Sequence, residues 1–110
     1  MFNGFRAGEI EFNNRIVMAP MTRSRALGGA VPGPLHVTHY AQRASAGLLI
    51  TEGTATSPSG LGYSRTPGIY SEEQVEGWRR VTDAVHAAGG KILIQLMHVG
   101  RIAHKLNQPE

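Results

Sequence analysis

The chain has 110 residues, 41% of them apolar, and carries eleven Lys and Arg against eight Asp and Glu, enough for one small domain with a core and too few for two. It has no cysteine, which excludes disulfides, zinc–thiolate sites and thiol nucleophiles and makes the reducing cytoplasm the expected setting. The formal charge of +3 is spread over single residues and pairs, with no basic stripe that would track nucleic acid and no apolar run or leader that would engage a membrane.

In chain order, residues 5–12 read as a short hairpin around Ala7-Gly8. Residues 15–19, RIVMA, read as a buried strand closed by Pro20. A Gly- and Pro-rich loop over 28–33 leads to Pro34, which suits a first helical turn because its missing N–H would have no partner there. That helix is expected to run to about Ser45, with Gly47 as its stop. Residues 48–54, LLITEGT, form the second apolar strand, and 57–68 form a loop rich in Ser, Gly and Pro. The clearest helix starts after Ser71, where S-E-E-Q is a capping box closed by Gln74. Val75, Trp78, Val81, Thr82, Val85 and Ala88 then recur at helical spacing and mark its buried face. Gly89-Gly90 ends it, and residues 91–98, KILIQLMH, make the third strand. Strand, helix, strand, helix, strand predicts right-handed βαβ units and a parallel sheet.

The third strand carries an anomaly. Its apolar run has the signature of a strand covered on both faces, yet Gln95 sits in the middle, at a cost on the order of 1–3 kcal/mol if buried without partners. A polar ligand is one candidate partner. Ligands in parallel α/β folds bind beyond the C-terminal strand ends, and here those ends are Pro20-Met21-Thr22, Glu52-Gly53-Thr54 and Met97-His98. Gly53 would admit a ring close to the backbone, and the Thr22 hydroxyl both donates and accepts. Glu52 is open as an acid, a base or a salt-bridge partner.

Other constellations carry less. Gly60-x-Gly62-x-x-Arg65 lacks the third glycine and the strand–helix context of a dinucleotide fingerprint. His36 and His39 have metal-compatible spacing but no third ligand, so both are expected to face solvent; His86 likewise falls off the apolar face. No serine stands in a nucleophile elbow.

Four motifs in order, NRIVMAPMTR at 14–23, YAQRASAGLLITEGT at 40–54, PGIYS at 67–71 and QLMHVGR at 95–101, resemble the old yellow enzymes, flavin-dependent ene-reductases of the N-ethylmaleimide reductase type. The resemblance covers essentially the whole chain. It implies an α/β fold, the N-terminal part of a (β/α)₈ TIM barrel with roughly the first three strands and two helices, so that residues 1–110 form one portion of a single FMN-binding domain. It also implies an FMN-dependent NAD(P)H oxidoreductase that passes hydride from FMN to activated alkenes. By position, Ala19, Pro20, Met21 and Thr22 match the segment lining the flavin, with the Thr22 hydroxyl on a flavin carbonyl. Gly53 matches the small residue whose backbone meets the ring, and Gln95 matches the amide on its pyrimidine edge. Tyr63 and Met97 match substrate-pocket positions, and Trp often replaces Met97 in relatives, which implies a wider pocket here.

The family's later-strand His pair, its tyrosine proton donor, its flavin-side arginine and its phosphate loops have no counterpart in these 110 residues, so the catalytic residues stay unassigned. His98 and His104 do not match the pair, and no metal is expected. Three barrel strands leave open edges and one uncovered sheet face, which predicts a marginal or oligomeric chain, or one completed by a complementary barrel portion. A non-catalytic remnant or subunit is therefore the competing reading, and an unrelated α/β binding module is the third.

Overall fold

Seven strands of two or three residues and two α-helices make up the computed structural model, which describes residues 1–108. The first half of the chain holds β1 (Phe5–Ala7), β2 (Ile10–Phe12), β3 (Val17–Met18) and α1 (Pro34–Ala41). After these come β4 (Leu48–Ile50), β5 (Thr54–Ala55), α2 (Glu72–Ala87), β6 (Ile92–Leu93) and β7 (Leu96–Met97).

The N-terminal hairpin forms as expected, with Ala7 opposite Ile10. Its two-residue turn is Gly8-Glu9, one step later than the sequence reading. Gly8 sits at φ +60°, a left-handed conformation that glycine adopts without strain. Phe5 and Phe12 stack with ring centroids 6.3 Å apart.

β3, β4 and β6 form a parallel sheet in that order, with Met18 opposite Leu49 and Leu49 opposite Ile92. β5 and β7 extend the second and third of these runs and pair with each other, also in parallel. This is the alternating β/α order and parallel sheet expected of part of a (β/α)₈ barrel. Asn14 pins the start of β4: its Oδ1 accepts from the Gly47 N–H at 2.8 Å and its Nδ2 donates to the Ser45 carbonyl at 2.8 Å.

The capping box at α2 is present and reaches further than expected. Ser71 Oγ accepts from the Gln74 N–H at 3.3 Å, and Gln74 Oε1 accepts from the Ser71 and Tyr70 N–H groups. Gln74 Nε2 then donates to the Gly29 carbonyl at 2.8 Å, tying the helix start to the loop before α1. The buried stripe of α2 is Gln74, Gly77, Trp78, Val81 and Val85. Val75 and Ala88, assigned to that stripe from spacing, are exposed instead, because each lies a single step from a stripe residue or beyond its end and is turned off the face. α1 ends at Ala41 rather than near Ser45. Arg43, Ala44 and Ala46 donate to carbonyls three residues back, a tightening that turns the chain directly into β4.

The core lies on one side of the sheet. Tyr40, Ala44, Leu49, Trp78, Val81 and Val85 are its buried residues, with Met18, Ile69, Ile92 and Ile94 packed against them. Trp78 Nε1 donates to the Gly68 carbonyl at 3.1 Å, so the largest side chain of the core has its one polar atom paired. The opposite side is bare: Val17 and Leu93 are 53% and 56% exposed. The expectation that RIVMA and KILIQLMH are strands buried on both faces is therefore corrected. The helices cover one face, and alternate residues of each strand point to the other.

Candidate functional site

Parallel strands bring their C-terminal ends to one rim, and the rim here collects the residues singled out from the sequence. Following β3, Ala19, Met21 and Thr22 are exposed and Pro20 is half-buried. Gly53, immediately before β5, is buried, whereas Gln95, between β6 and β7, is exposed. The buried amide inferred from the apolar run is thus not buried within the described residues. Gln95 shares the uncovered face with Leu93, two residues earlier, while Ile92 and Ile94 pack on the helix side. Its side-chain amide and the Thr22 hydroxyl make no hydrogen bond to another described residue.

Gly53 is hemmed in rather than open. A Cβ placed there would fall 2.6 Å from Met97 Sδ and 2.7 Å from its Cε, so the thioether fills the space that glycine leaves. The close approach expected for a ring at Gly53 has to come from the side away from Met97. Tyr63 is 45% exposed and lines a cavity of about 340 Å³ with Leu61, Arg65, Tyr70 and Asn107. Met97 does not line that cavity, so the two substrate-pocket candidates stand apart.

Behind the rim, a polar cluster joins α1 to the second strand run. Glu52 is fully buried. Tyr40 Oη accepts from the Glu52 N–H at 2.9 Å and donates to Glu52 Oε2 at 3.0 Å. His36 Nε2 lies 3.5 Å from the same oxygen. His36 Nδ1 accepts from the Gly33 N–H at 3.2 Å, which places the ring's proton on Nε2, facing the carboxyl. The expectation that His36 faces solvent is overturned, since it is 2% exposed. It lies one turn before Tyr40 on the covered face of α1. His39 is half-buried rather than exposed, against the Tyr40 ring at 5.0 Å. Burial first, then the Arg43 and Arg23 charges, hold the His39 pKa below its ordinary 6.5. Burial likewise pushes the Tyr40 phenol above its usual range. Among the described residues, His36 Nε2, His39 Nε2 and Glu52 Oε1 are buried without a hydrogen-bond partner.

Glu52, open from sequence as acid, base or salt-bridge partner, is thus hydrogen-bonded to Tyr40, with the His36 ring 3.5 Å from its carboxyl. Sequence reading missed Tyr40 and Thr51 altogether. The only signal for Tyr40 was a lone carboxylate in the apolar run LLITEGT that needed a buried donor. On the rim, His98 Nδ1 accepts from the Gly100 N–H at 3.0 Å and Nε2 lies 3.5 Å from Ser59 Oγ. With its proton on Nε2, His98 is no base for that serine. His86 is exposed, as expected. No described group of three or more His, Cys, Asp or Glu is arranged to hold a metal ion, and no described helix is long and apolar enough to cross a membrane.

Comparison with known proteins adds a second line. The family model described as NADH:flavin oxidoreductase / NADH oxidase matches residues 1–110. The 12-oxophytodienoate reductase 7 of Oryza sativa subsp. japonica is 51% identical over 110 residues, which are 99% of this chain and 28% of that protein. The chanoclavine-I aldehyde reductase of Penicillium roqueforti (strain FM164) is 50% identical over 94% of this chain and 29% of its own length. Among solved structures, morphinone reductase in complex with tetrahydroNAD superposes with a TM-score of 0.91 at 51% identity, over 98% of this chain and 30% of that one. The old yellow enzyme homologue from Zymomonas mobilis gives 0.89 at 51%, over 93% and 29%. The chain therefore spans under a third of the length of these relatives.

Proposed function

Because the chain belongs to the NADH:flavin oxidoreductase / NADH oxidase family, we propose that it supplies the first part of an FMN site in an ene-reductase, and that residues 1–110 form one portion of a single FMN-binding (β/α)₈ domain. Membership sets aside the unrelated binding module. The observation that carries the reading is the rim itself. An exposed hydroxyl at Thr22, after the first strand run, and an exposed side-chain amide at Gln95, in the third, neither bonded to a described residue, flank the middle run that carries the Gly53 backbone. That mixed set of donors and acceptors fits the carbonyl and N–H edge of an isoalloxazine.

In this reading Thr22 and Gln95 hold the ring by hydrogen bonds, and Ala19, Pro20 and Met21 wall one side of it. Met97, seated on Gly53, borders the substrate side of the ring with a flexible thioether, while Tyr63, on the loop before α2, lines a separate cavity and would meet substrate only from that side. When bound, FMN would supply the hydride chemistry, reduced by NAD(P)H and oxidised by an activated alkene, the substrate class that the family resemblance implies. This chain's residues bind and orient. The proton donor and the pair that grips the alkene's activating group are assigned to no residue here. We place the protein in the cytoplasm, in keeping with its cysteine-free sequence.

The second reading, a subunit or remnant that needs a complementary barrel portion or a second copy, rests on the bare sheet face. The two readings share one experiment. The chain is purified alone and mixed with the remaining barrel portion of a relative, FMN is added, and bound-flavin absorbance and NAD(P)H-dependent reduction of an enone are recorded. Colour and turnover only in the mixture support both readings together. A mixture that folds yet stays colourless with FMN in excess overturns the assignment of Thr22 and Gln95.

A further inference from the structure

The second and third strand runs do not keep a constant register. Ile50 pairs with Leu93 and Thr54 with Leu96, so four steps along one run face three along the other. One residue is extra, which is a β-bulge, and it falls at Thr51-Glu52-Gly53.

Leu49 faces the helix layer among Tyr40, Trp78 and Val81. In an unbroken strand Glu52 would face the opposite way; instead its carboxyl turns back to Tyr40 on α1. A bulge leaves backbone groups out of the ladder, and buried side chains take them up here. Tyr40 Oη receives the Glu52 N–H at 2.9 Å. Thr51 Oγ1 receives the Gln95 N–H at 3.1 Å and donates to the Glu52 carbonyl at 2.9 Å. Thr54 Oγ1 donates to that carbonyl at 3.0 Å, and the Thr54 N–H donates to the Gln95 carbonyl at 2.9 Å. Tyr40, Thr51, Glu52 and Thr54 are all fully buried.

We propose that Tyr40, Thr51 and Glu52 are positioning residues that clamp this bulge and thereby set the Gly53 backbone and the Gln95 side chain against the flavin ring. The proposal rests on the FMN reading above. The Gln95 N–H ends on the clamp at Thr51 Oγ1 and its carbonyl on the Thr54 N–H just past the bulge, so the amide offered to the ring is aimed by groups that touch no ligand. Glu52 Oε2 in turn fixes the Tyr40 phenol, and His36 Nε2 lies on the far side of that oxygen at 3.5 Å.

The test uses Thr51→Val, which keeps the shape and removes the hydroxyl, and Tyr40→Phe. Thr51→Ser is the rescue, and Val85→Ala is a core lesion away from the bulge. Amide hydrogen exchange is read first in the whole chain without flavin. Each hydroxyl deletion should speed exchange at its own partner, Gln95 for Thr51→Val and Glu52 for Tyr40→Phe, by about fivefold to tenfold, and Val85→Ala should not. FMN affinity and the flavin midpoint potential are then read in the chain assembled with a complementary barrel portion. Thr51→Val should weaken FMN by a similar factor and displace the potential, with Thr51→Ser restoring both. Exchange at Gln95 and Glu52 no faster than in Val85→Ala overturns the clamp. Faster exchange with unchanged FMN affinity and potential reduces it to a packing feature and overturns the positioning role. If the unsubstituted assembly takes up no FMN, the flavin reading fails and the positioning role with it, while the exchange data still show whether the hydroxyls hold the bulge.

Discussion

The two faces of the parallel sheet obey different rules. On the helix side, Leu49, Val81, Val85 and Tyr40 are fully buried and Trp78 nearly so. On the other side, Val17 and Leu93 are more than half exposed, and Gln95 stands beside Leu93. Both faces are apolar in sequence, so hydrophobicity alone does not separate them. What separates them is the polar bookkeeping behind each: Trp78 and Tyr40 reach partners inside this chain, whereas Gln95 and Thr22 find none among the described residues. The covered face holds the fold, and the bare face is where a cofactor, a second copy or the rest of a barrel would have to be met.

The contrast breaks most sharply by truncation. Trp78→Ala removes the central ring of the covered face and strands the Gly68 carbonyl, at a cost of about 3–5 kcal/mol. That is a large fraction of the stability of a chain of this size and should drop the urea midpoint steeply. Leu49→Ala should cost about 2–5 kcal/mol, while Leu93→Ala, on the same sheet but the other face, should stay within about 0.5 kcal/mol. Equal costs at Leu49 and Leu93 would mean that the bare face is covered in solution by self-association. The companion variant Leu93→Lys tests that directly by sedimentation. It should shift an oligomeric chain toward monomer, because a flat apolar parallel face is a surface for association. A parent chain that already sediments as a monodisperse monomer would leave Leu93→Lys nothing to dissociate and would overturn the self-association of the bare face.

A smaller effect separates local from long-range signals. Ser71→Ala should cost about 1 kcal/mol in thermal or urea melts, through loss of the cap on the Gln74 N–H. That cap was legible because all of it lies within four residues, and the strand order was legible because each strand is a local apolar run. The bulge at Thr51-Glu52-Gly53 was not legible. It is defined by a register difference between runs more than forty residues apart, and its clamp takes Tyr40 from a helix that precedes both. His36 was misread for a related reason: spacing along α1 identifies faces but not which one the sheet covers. Gln95 was correctly marked as unusual and wrongly explained as buried, because a continuous apolar run looks the same whether one face or both are covered. The placing of Thr22 and Gly53 at strand ends followed from topology and that of Gln95 within the third strand from its apolar run, whereas their roles came only from the family resemblance.

The smallest predicted effect sits at the edge of the covered face, on His39. Burial, followed by the Arg43 and Arg23 charges, disfavours its protonated form, and Glu52 opposes them only in part. The folded chain therefore binds a proton at His39 less readily than the unfolded chain, where the ordinary value of 6.5 applies. Between that value and the lower folded one, the unfolded state holds more protons, so stability rises with pH across the window. Seen from neutral pH, stability is intact above about 6.5 and falls as acid is added, until the folded-state pKa is passed. His39→Gln removes this contribution and should flatten the dependence of the urea midpoint on pH just below 6.5, with little change at pH 8. The pairing with Leu93→Ala is informative, because a change on the bare face should leave the slope untouched. If His39→Gln keeps the parental slope, the acid sensitivity does not arise at this edge of the core, and the desolvation of His39 by the Tyr40 ring is weaker than its position implies.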